Sequence, residues 1–231
     1  MKTIGLIGGM SWESTIPYYS IINEYVKNRL GGLHSARIVL YSVEFDEIEK
    51  CQSSGDWERS AEVLGDAARK LEQSGADVIL ICTNTMHKVY PEVQKMVSVP
   101  LIHIADATAD VLKKDGIQKV ALLGTKYTMK EDFYKSRLYD RGFEVIIPDD
   151  KDIELVNHVI FDELCCGIIN EDSRAEFSRI IAEMKEKSAE AVILGCTEIG
   201  NLIKQKDSVL PVFDTTVIHA ESAAIFALGT E

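Results

Sequence analysis

The sequence predicts an α/β protein built from two pseudosymmetric three-layer αβα domains with mainly parallel sheets and an active-site cleft between them. Three observations carry that reading. Short runs of Val, Ile and Leu bounded by Gly or polar residues alternate with longer stretches of helical period. Several of these runs are apolar throughout, as strands covered on both faces are. Finally, segments recur in the same order: TIGLIGG at 3–9 with KVALLGT at 119–125, ADVILICTNT at 76–85 with EAVILGCTEI at 190–199, and SVPLIHI at 98–104 with SVLPVFD at 208–214. One pair of short aliphatic strands can match by chance, but collinear pairs at a nearly constant separation indicate two similar halves.

Taken in order, the strands are expected at 3–7, 37–43, 77–82, 100–104, 119–123, 143–147, 191–195 and 210–213. Helices are expected at about 14–30, 57–74, 86–97, 105–115, 128–141, 152–165, 171–188 and 215–228. No low-complexity linker interrupts them. The repeat places a first domain at 1–113, a second at 114–214, and a C-terminal helix within 215–231 that packs back on the first domain.

Composition narrows the function. The 231 residues are 46% hydrophobic and 27% charged, which suits a packed globular protein and not a disordered one. The formal charge of -12 is spread along the chain, which argues against a nucleic-acid partner, because phosphate-backbone binding needs a basic face. The opening MKTIGLIGGMSWES has one Lys and an apolar stretch broken by glycines and Glu13, so it fits neither a signal peptide nor a membrane span. A cytoplasmic protein with no membrane partner is expected. The five cysteines are odd in number, contain no C-x-x-C and follow no metal-ligand spacing, so free thiols and no metal site are expected.

In open parallel sheets the ligand site lies beyond the carboxyl ends of the strands. Cys82 and Cys196 fall there, one in each half, and each is followed by polar residues: Thr83, Asn84 and Thr85 in one case, Thr197 and Glu198 in the other. Two thiols flanking one carbon can remove a proton from one face and return one to the other. The residues behind each cysteine are expected to start a helix, whose free N–H groups favour anions and draw a thiol below its ordinary value. The same donors can hold a substrate carboxylate and the negative charge that grows on it when the α-proton leaves. An isolated cysteine at a strand end is more often a small buried hydrophobe, which is the reading given to Cys51, Cys165 and Cys166.

Other motifs say less. GLIGGM reads G-x-x-G-G and not G-x-G-x-x-G, so its glycines are expected to turn the first strand sharply beside a small ligand, with Met10 and Ser11 in the cleft. His34, His87, His103, His158 and His219 have no ligand spacing and read as structural or surface residues. Nothing singles out Lys88 or Lys126 for Schiff-base chemistry. The acidic stretch EFDEIEK reads as a solvated face.

The paired CTNT and GCTE, with GLIGGMSWEST at the start, resemble the aspartate/glutamate racemase family. MSWESTIPYY, NRLGGLHSA, LIHIADAT, LLGTKYTM and LPVFDTTVIHAE extend the resemblance over nearly the whole chain and bring it close to the bacterial broad-specificity amino-acid racemases and aspartate/glutamate-specific racemases. The resemblance implies interconversion of L- and D-amino acids without a cofactor, by a thiol–thiolate pair at Cys82 and Cys196, in a homodimer. It also implies substrate contacts from Met10, Gln52, Thr83, Asn84, Thr85 and Thr197. Glu198 stands where related glutamate racemases carry His and is a candidate for supporting Cys196.

Dedicated aspartate racemases of this kind carry an Arg in the loop after the second strand and a Lys near the segment matching ELCCGII. Here the loop reads EFDEIEKCQSSGDW, without that Arg, and Cys165 and Cys166 occupy the neighbourhood of the Lys. A substrate side-chain carboxylate would lack charge-assisted bonds that contribute roughly 1.5–3 kcal/mol each, which admits a neutral polar substrate such as homoserine. Two other readings remain open: a relative using the same cysteines on another small carboxylate as an isomerase or decarboxylase, and an amino-acid-binding protein without turnover.

Overall fold

The computed structural model describes residues 1–229. The elements run β1 (Thr3–Gly8), α1 (Trp12–Leu30), β2 (Arg37–Ser42), α2 (Phe45–Ser54), α3 (Trp57–Gln73), β3 (Val78–Ile81), α4 (Tyr90–Lys95), α5 (Ile104–Lys114) and β4 (Lys119–Gly124). They continue with α6 (Lys126–Lys130), α7 (Asp132–Tyr139), β5 (Glu144–Ile146), α8 (Asp150–Asp162), α9 (Glu171–Glu186), β6 (Ala191–Gly195), α10 (Ile199–Leu202), β7 (Val212–Asp214) and α11 (Thr215–Leu228). Short 3₁₀ turns occupy Thr85–Val89, Leu164–Cys166 and Gln205–Asp207.

This is an α/β protein with two all-parallel sheets, ordered β2-β1-β3 and β5-β4-β6-β7. The described chain forms two compact units, one of residues 1–103 with 219–229 and one of residues 104–218. In the first, strand residues alternate between two cores, as period-2 geometry requires. Ile7, Ile79 and Ile81 meet Leu64, Ala68 and Leu71 of α3, while Ile4, Leu6, Val78 and Leu80 meet Tyr18, Ile22 and Val26 of α1 and Ala220, Ala223 and Ala224 of α11. The second unit repeats the plan. Ala121, Leu123, Val192 and Leu194 meet α8 and α9, and Val120, Leu122, Ala191 and Ile193 meet α5 and α7.

Each unit uses the same backbone devices. The acid before the repeated strand secures the start of the neighbouring one: Thr3 N donates to Asp77 Oδ2 at 2.7 Å, and Lys119 N to Glu190 Oε2 at 3.0 Å. The proline of the third repeated segment accepts from the strand beside it, with Ile79 N to Pro100 O at 3.0 Å and Val192 N to Pro211 O at 2.9 Å.

Several sequence expectations need correction. The strand expected at 100–104 shrinks to a single bridge between Leu101 and Ile79, because α5 begins at Ile104 and takes the rest of the segment. That helix packs Ile104, Ala105, Ala109 and Leu112 against β4 and β6, and the compact units divide just before it, at 103/104. The boundary near the C-terminus likewise falls within α11, at 218/219. The helix expected at 86–97 is a 3₁₀ turn followed by α4, and that at 128–141 divides into α6 and α7 at Glu131, whose backbone is extended.

The solvated stretch EFDEIEK belongs to α2, which the sequence reading passed over. Its charges are exposed, yet Ile48, Cys51 and Gln52 form a narrow buried face. The Glu44 carboxylate caps it by accepting from Asp46 N at 3.1 Å and Glu47 N at 2.8 Å, and Gly55 closes it with left-handed backbone at φ 76°.

Candidate functional site

The candidate residues of the first unit gather at the carboxyl ends of β1 and β3. After β1 the chain turns at Gly9, whose φ is +87° and where an added Cβ would lie 2.3 Å from Val43 O. Gly9 N donates to Thr15 Oγ1 at 2.9 Å, and that hydroxyl donates to Ser11 O at 2.8 Å, so α1 fixes the turn carrying Met10 and Ser11. Gly9→Ala is expected to cost about 2 kcal/mol through left-handed strain and overpacking, visible as a lower urea midpoint. An unchanged midpoint would mean that the turn relaxes freely.

Met10 is buried in the same core as Ile48 and Met86. Gln52, on α2, is also buried, and its Nε2 lies 3.0 Å from Met86 Sδ. By sequence Gln52 belongs to a loop after the second strand; α2 gives it a fixed direction instead. Met86 itself went unnoticed as its neighbour, since nothing in the spacing of 52 and 86 links them.

Cys82 follows β3 directly and its N–H donates to Ile7 O at 2.9 Å, which continues the ladder with β1. The residue is wholly buried among Ile4, Leu6, Leu80 and Ala220. Thr83, Asn84 and Thr85 follow, all buried. Behind them His87 Nδ1–H donates to Thr83 O at 2.8 Å, and the His87 ring packs edge-on against His103 at 4.5 Å between centroids. By sequence His87 reads as a structural or surface residue; here it is buried and holds the Thr83 carbonyl. The lysines considered for Schiff-base chemistry are engaged elsewhere: Lys88 lies 3.8 Å from the Trp57 ring centroid, and Lys126 pairs with Glu154.

In the second unit Cys196 follows β6 directly, with Thr197 and Glu198 behind it, and all three are buried. Glu198 Oε2 accepts from the Cys196 thiol at 2.9 Å and from Thr197 Oγ1 at 2.9 Å. Thr216 Oγ1, from α11, reaches Thr197 O at 3.5 Å. Cys165 packs against the core that holds Cys196 and adds to the field at its sulfur, so it is closer to the candidate site than its reading as a small buried hydrophobe implies.

The two cysteines are similar in sequence but not interchangeable in register. Pairing aligns Ile7 with Ile81 and Gly124 with Gly195, so the strand ladders match Cys82 to Gly195 and leave Cys196 one residue further on. With a side-chain period of 2, that single step sends the thiols to different layers: Cys82 joins the α1 and α11 core, and Cys196 the α8 and α9 core.

The expectation of acidified thiols is overturned. Burial pushes the Cys82 thiol well above the usual range for cysteine. Burial does the same to Cys196, and the adjacent Glu198 carboxylate adds to it. The helix starts that were to lower these values are a 3₁₀ turn and the four-residue α10, and neither Asn84 nor Glu198 caps its turn with its side chain. Such short pieces develop little dipole, and desolvation wins.

Among the described residues no group of three or more His, Cys, Asp or Glu is arranged to hold a metal ion, and no helix is long and apolar enough to cross a membrane.

A pair of parallel α/β units, each ending a core strand in a buried cysteine and a threonine, fits the Asp/Glu/Hydantoin racemase family, whose model matches residues 7–223; the chain belongs to that family. A structure from Yersinia pestis assigned to the Asp/Glu racemases is 55% identical, with a TM-score of 0.92 over 99% of this chain and 100% of that one. An aspartate racemase homologue from Pyrococcus horikoshii is 38% identical, with a TM-score of 0.86 over 99% of this chain and 100% of its own. The broad specificity amino-acid racemase RacX of Bacillus subtilis is 25% identical over 95% of both chains.

Proposed function

We propose that the protein is a cofactor-independent amino-acid racemase in which Cys82 and Cys196 are the two acid–base groups. The observation that carries this reading is the repeated placement of a buried thiol directly after β3 and after β6, each followed by a threonine. One cysteine, as thiolate, takes the α-proton; the other, as thiol, donates a proton to the opposite face of the same carbon. For the other enantiomer the roles exchange. The electron pair left by the α-proton spreads onto the substrate carboxylate, where Thr83, Asn84, Thr85 and Thr197 supply donors. Met10 and Gln52 are further substrate contacts. Family membership and the likeness to the B. subtilis enzyme support an amino acid as substrate, and the resemblance supports a homodimer.

The substrate side chain is proposed to be neutral and polar, homoserine being the model, or to vary broadly. In the segment 44–57 the only basic residue is Lys50, which is exposed and paired with Asp46, and the nearby Arg59 pairs with Glu47 and Glu62. Gln52 offers an amide in place of a cation. The deciding experiment follows the α-hydrogen by proton NMR in D₂O, with chiral chromatography, for L- and D-aspartate, glutamate, homoserine and alanine. Loss of the signal with appearance of the opposite enantiomer is the expected result, fastest for homoserine. No exchange with any of them would overturn the reading, and a strong preference for aspartate would overturn its substrate part.

Burial of both thiols also sets a pH dependence. Because the raised values leave both cysteines protonated at neutrality, the thiolate that starts the reaction is the minor form. kcat/KM is expected to climb steadily from pH 7 to 9, and a flat profile would show that the base is ionised already.

A further inference from the structure

We propose that Glu198 is a positioning residue that holds Cys196 in its thiol form and so makes Cys196 the resting proton donor of the pair. The proposal rests on the two-thiol reading above and assigns the asymmetry which that reading leaves open.

The geometry is specific. Glu198 is 3% exposed, and its Oε2 receives both the Cys196 thiol and the Thr197 hydroxyl at 2.9 Å. A carboxylate accepts and does not donate, so this bond is available to the thiol and is lost when the sulfur ionises. Ionisation would instead set two anions side by side in a buried site, where their repulsion is poorly screened. Among the described residues no carboxylate acts on the Cys82 thiol, which lies in the apolar cluster with Ile4, Leu6, Leu80 and alanines of α11 and is raised by burial alone. The backbone N–H of Glu198 bonds the Cys196 sulfur and offsets part of this repulsion, while Lys204 lies near enough to act on Asp214. Cys165, from the Leu164–Cys166 turn, raises the thiol further, and Asp214, at the end of β7 and close to Gly200 of α10, is an acid.

The step balances without a further reactant. When Cys196 donates, its S–H bond breaks, a Cα–H bond forms, and the electron pair of the S–H bond stays on sulfur. The proton taken from the other face has already moved to the Cys82 thiolate. The thiolate left on Cys196 faces Glu198, which favours its return to the thiol.

A kinetic consequence follows from the equilibrium constant of racemisation, which is one for free enantiomers. The two values of kcat/KM must then be equal, so a biased resting state can appear only in kcat and KM separately. The enantiomer taken by the Cys196-thiol form should show the lower KM and, in proportion, the lower kcat.

The test uses alkylation of Cys196 by iodoacetamide from pH 7 to 10.5, read by peptide mass spectrometry, in the wild type, Glu198→Gln and Glu198→Asp. In Glu198→Gln the amide donates to the thiolate, and the alkylation rate at a given pH should rise at least tenfold. Glu198→Asp, which withdraws the carboxylate by one methylene, should move it the same way by less and keeps the test open if the Gln variant does not fold. The KM values of the two enantiomers should also draw together in Glu198→Gln. An unchanged or lower alkylation rate in the folded variants overturns the proposal. Because alkylation needs no turnover, that outcome is distinct from failure of the racemase reading, which would appear as no α-proton exchange in the wild type.

Discussion

Serine at position 82 or at position 196 is expected to lower racemisation about a thousandfold or more while amino-acid binding persists. The sulfur-to-oxygen exchange keeps the shape of each buried site but replaces a thiol that can ionise with a hydroxyl that does not do so near neutral pH. In either variant one acid–base group remains, so the two readouts should part. Inversion needs both groups and is lost. Exchange of the α-proton with solvent needs only the surviving thiolate, and it should continue for the single enantiomer that this thiolate faces. Cys82→Ser and Cys196→Ser should therefore retain exchange of opposite enantiomers. Proton NMR in D₂O reads exchange, chiral chromatography reads inversion, and equilibrium dialysis reads binding. Near-normal inversion in either variant would exclude the two-thiol mechanism. Exchange of the same enantiomer in both would show that the thiols do not serve opposite faces.

Much of the architecture was legible in the sequence because parallel strands covered on both faces write themselves as unbroken aliphatic runs. VILI and AVILG could hardly be anything else. The repeat was legible for the same reason, and the acids Asp77 and Glu190 that open its strands proved to have matching backbone partners. What sequence could not carry was anything decided by a one-residue step or by a neighbour far along the chain. The cysteines align by motif, yet hydrogen-bond register sets them one residue apart and in different layers. Helix α2 was hidden because three buried residues among charges form too narrow a stripe for a periodicity test. The ionisation of the thiols was misjudged for a physical reason. A helix was inferred behind each cysteine, but its length was not, and a turn of four or five residues cannot offset complete burial.

Acid should destabilise the first unit through His219, and that residue's surroundings give both the sign and the size. Its ring is wholly buried beneath α1, with Nε2–H donating to Ile102 O at 2.9 Å and Nδ1 accepting from Tyr18 Oη–H at 3.0 Å. Both bonds belong to the neutral ring. Protonation would leave the charge buried and make the Tyr18 hydroxyl turn to accept in place of donating. Burial accordingly lowers its pKa from 6.5 to about 4. Above pH 6.5 folded and unfolded chains are both neutral at this site and it costs nothing. As pH falls from there to about 4, the unfolded chain takes up a proton that the folded one refuses, and the folded state loses about 3 kcal/mol relative to neutrality. His219→Gln keeps an amide donor and acceptor but has no proton to bind. It should be less stable than the wild type at pH 7, since a flexible amide chain fills a site shaped for a ring less well. Between pH 7 and pH 4, however, its urea midpoint should fall by much less than that of the wild type. His87, which packs edge-on against the ring, and His103 beyond it are present in both proteins. Equal losses in the two proteins would show that His219 is not the group through which acid acts, and would turn attention to the carboxylates that hold the strand starts.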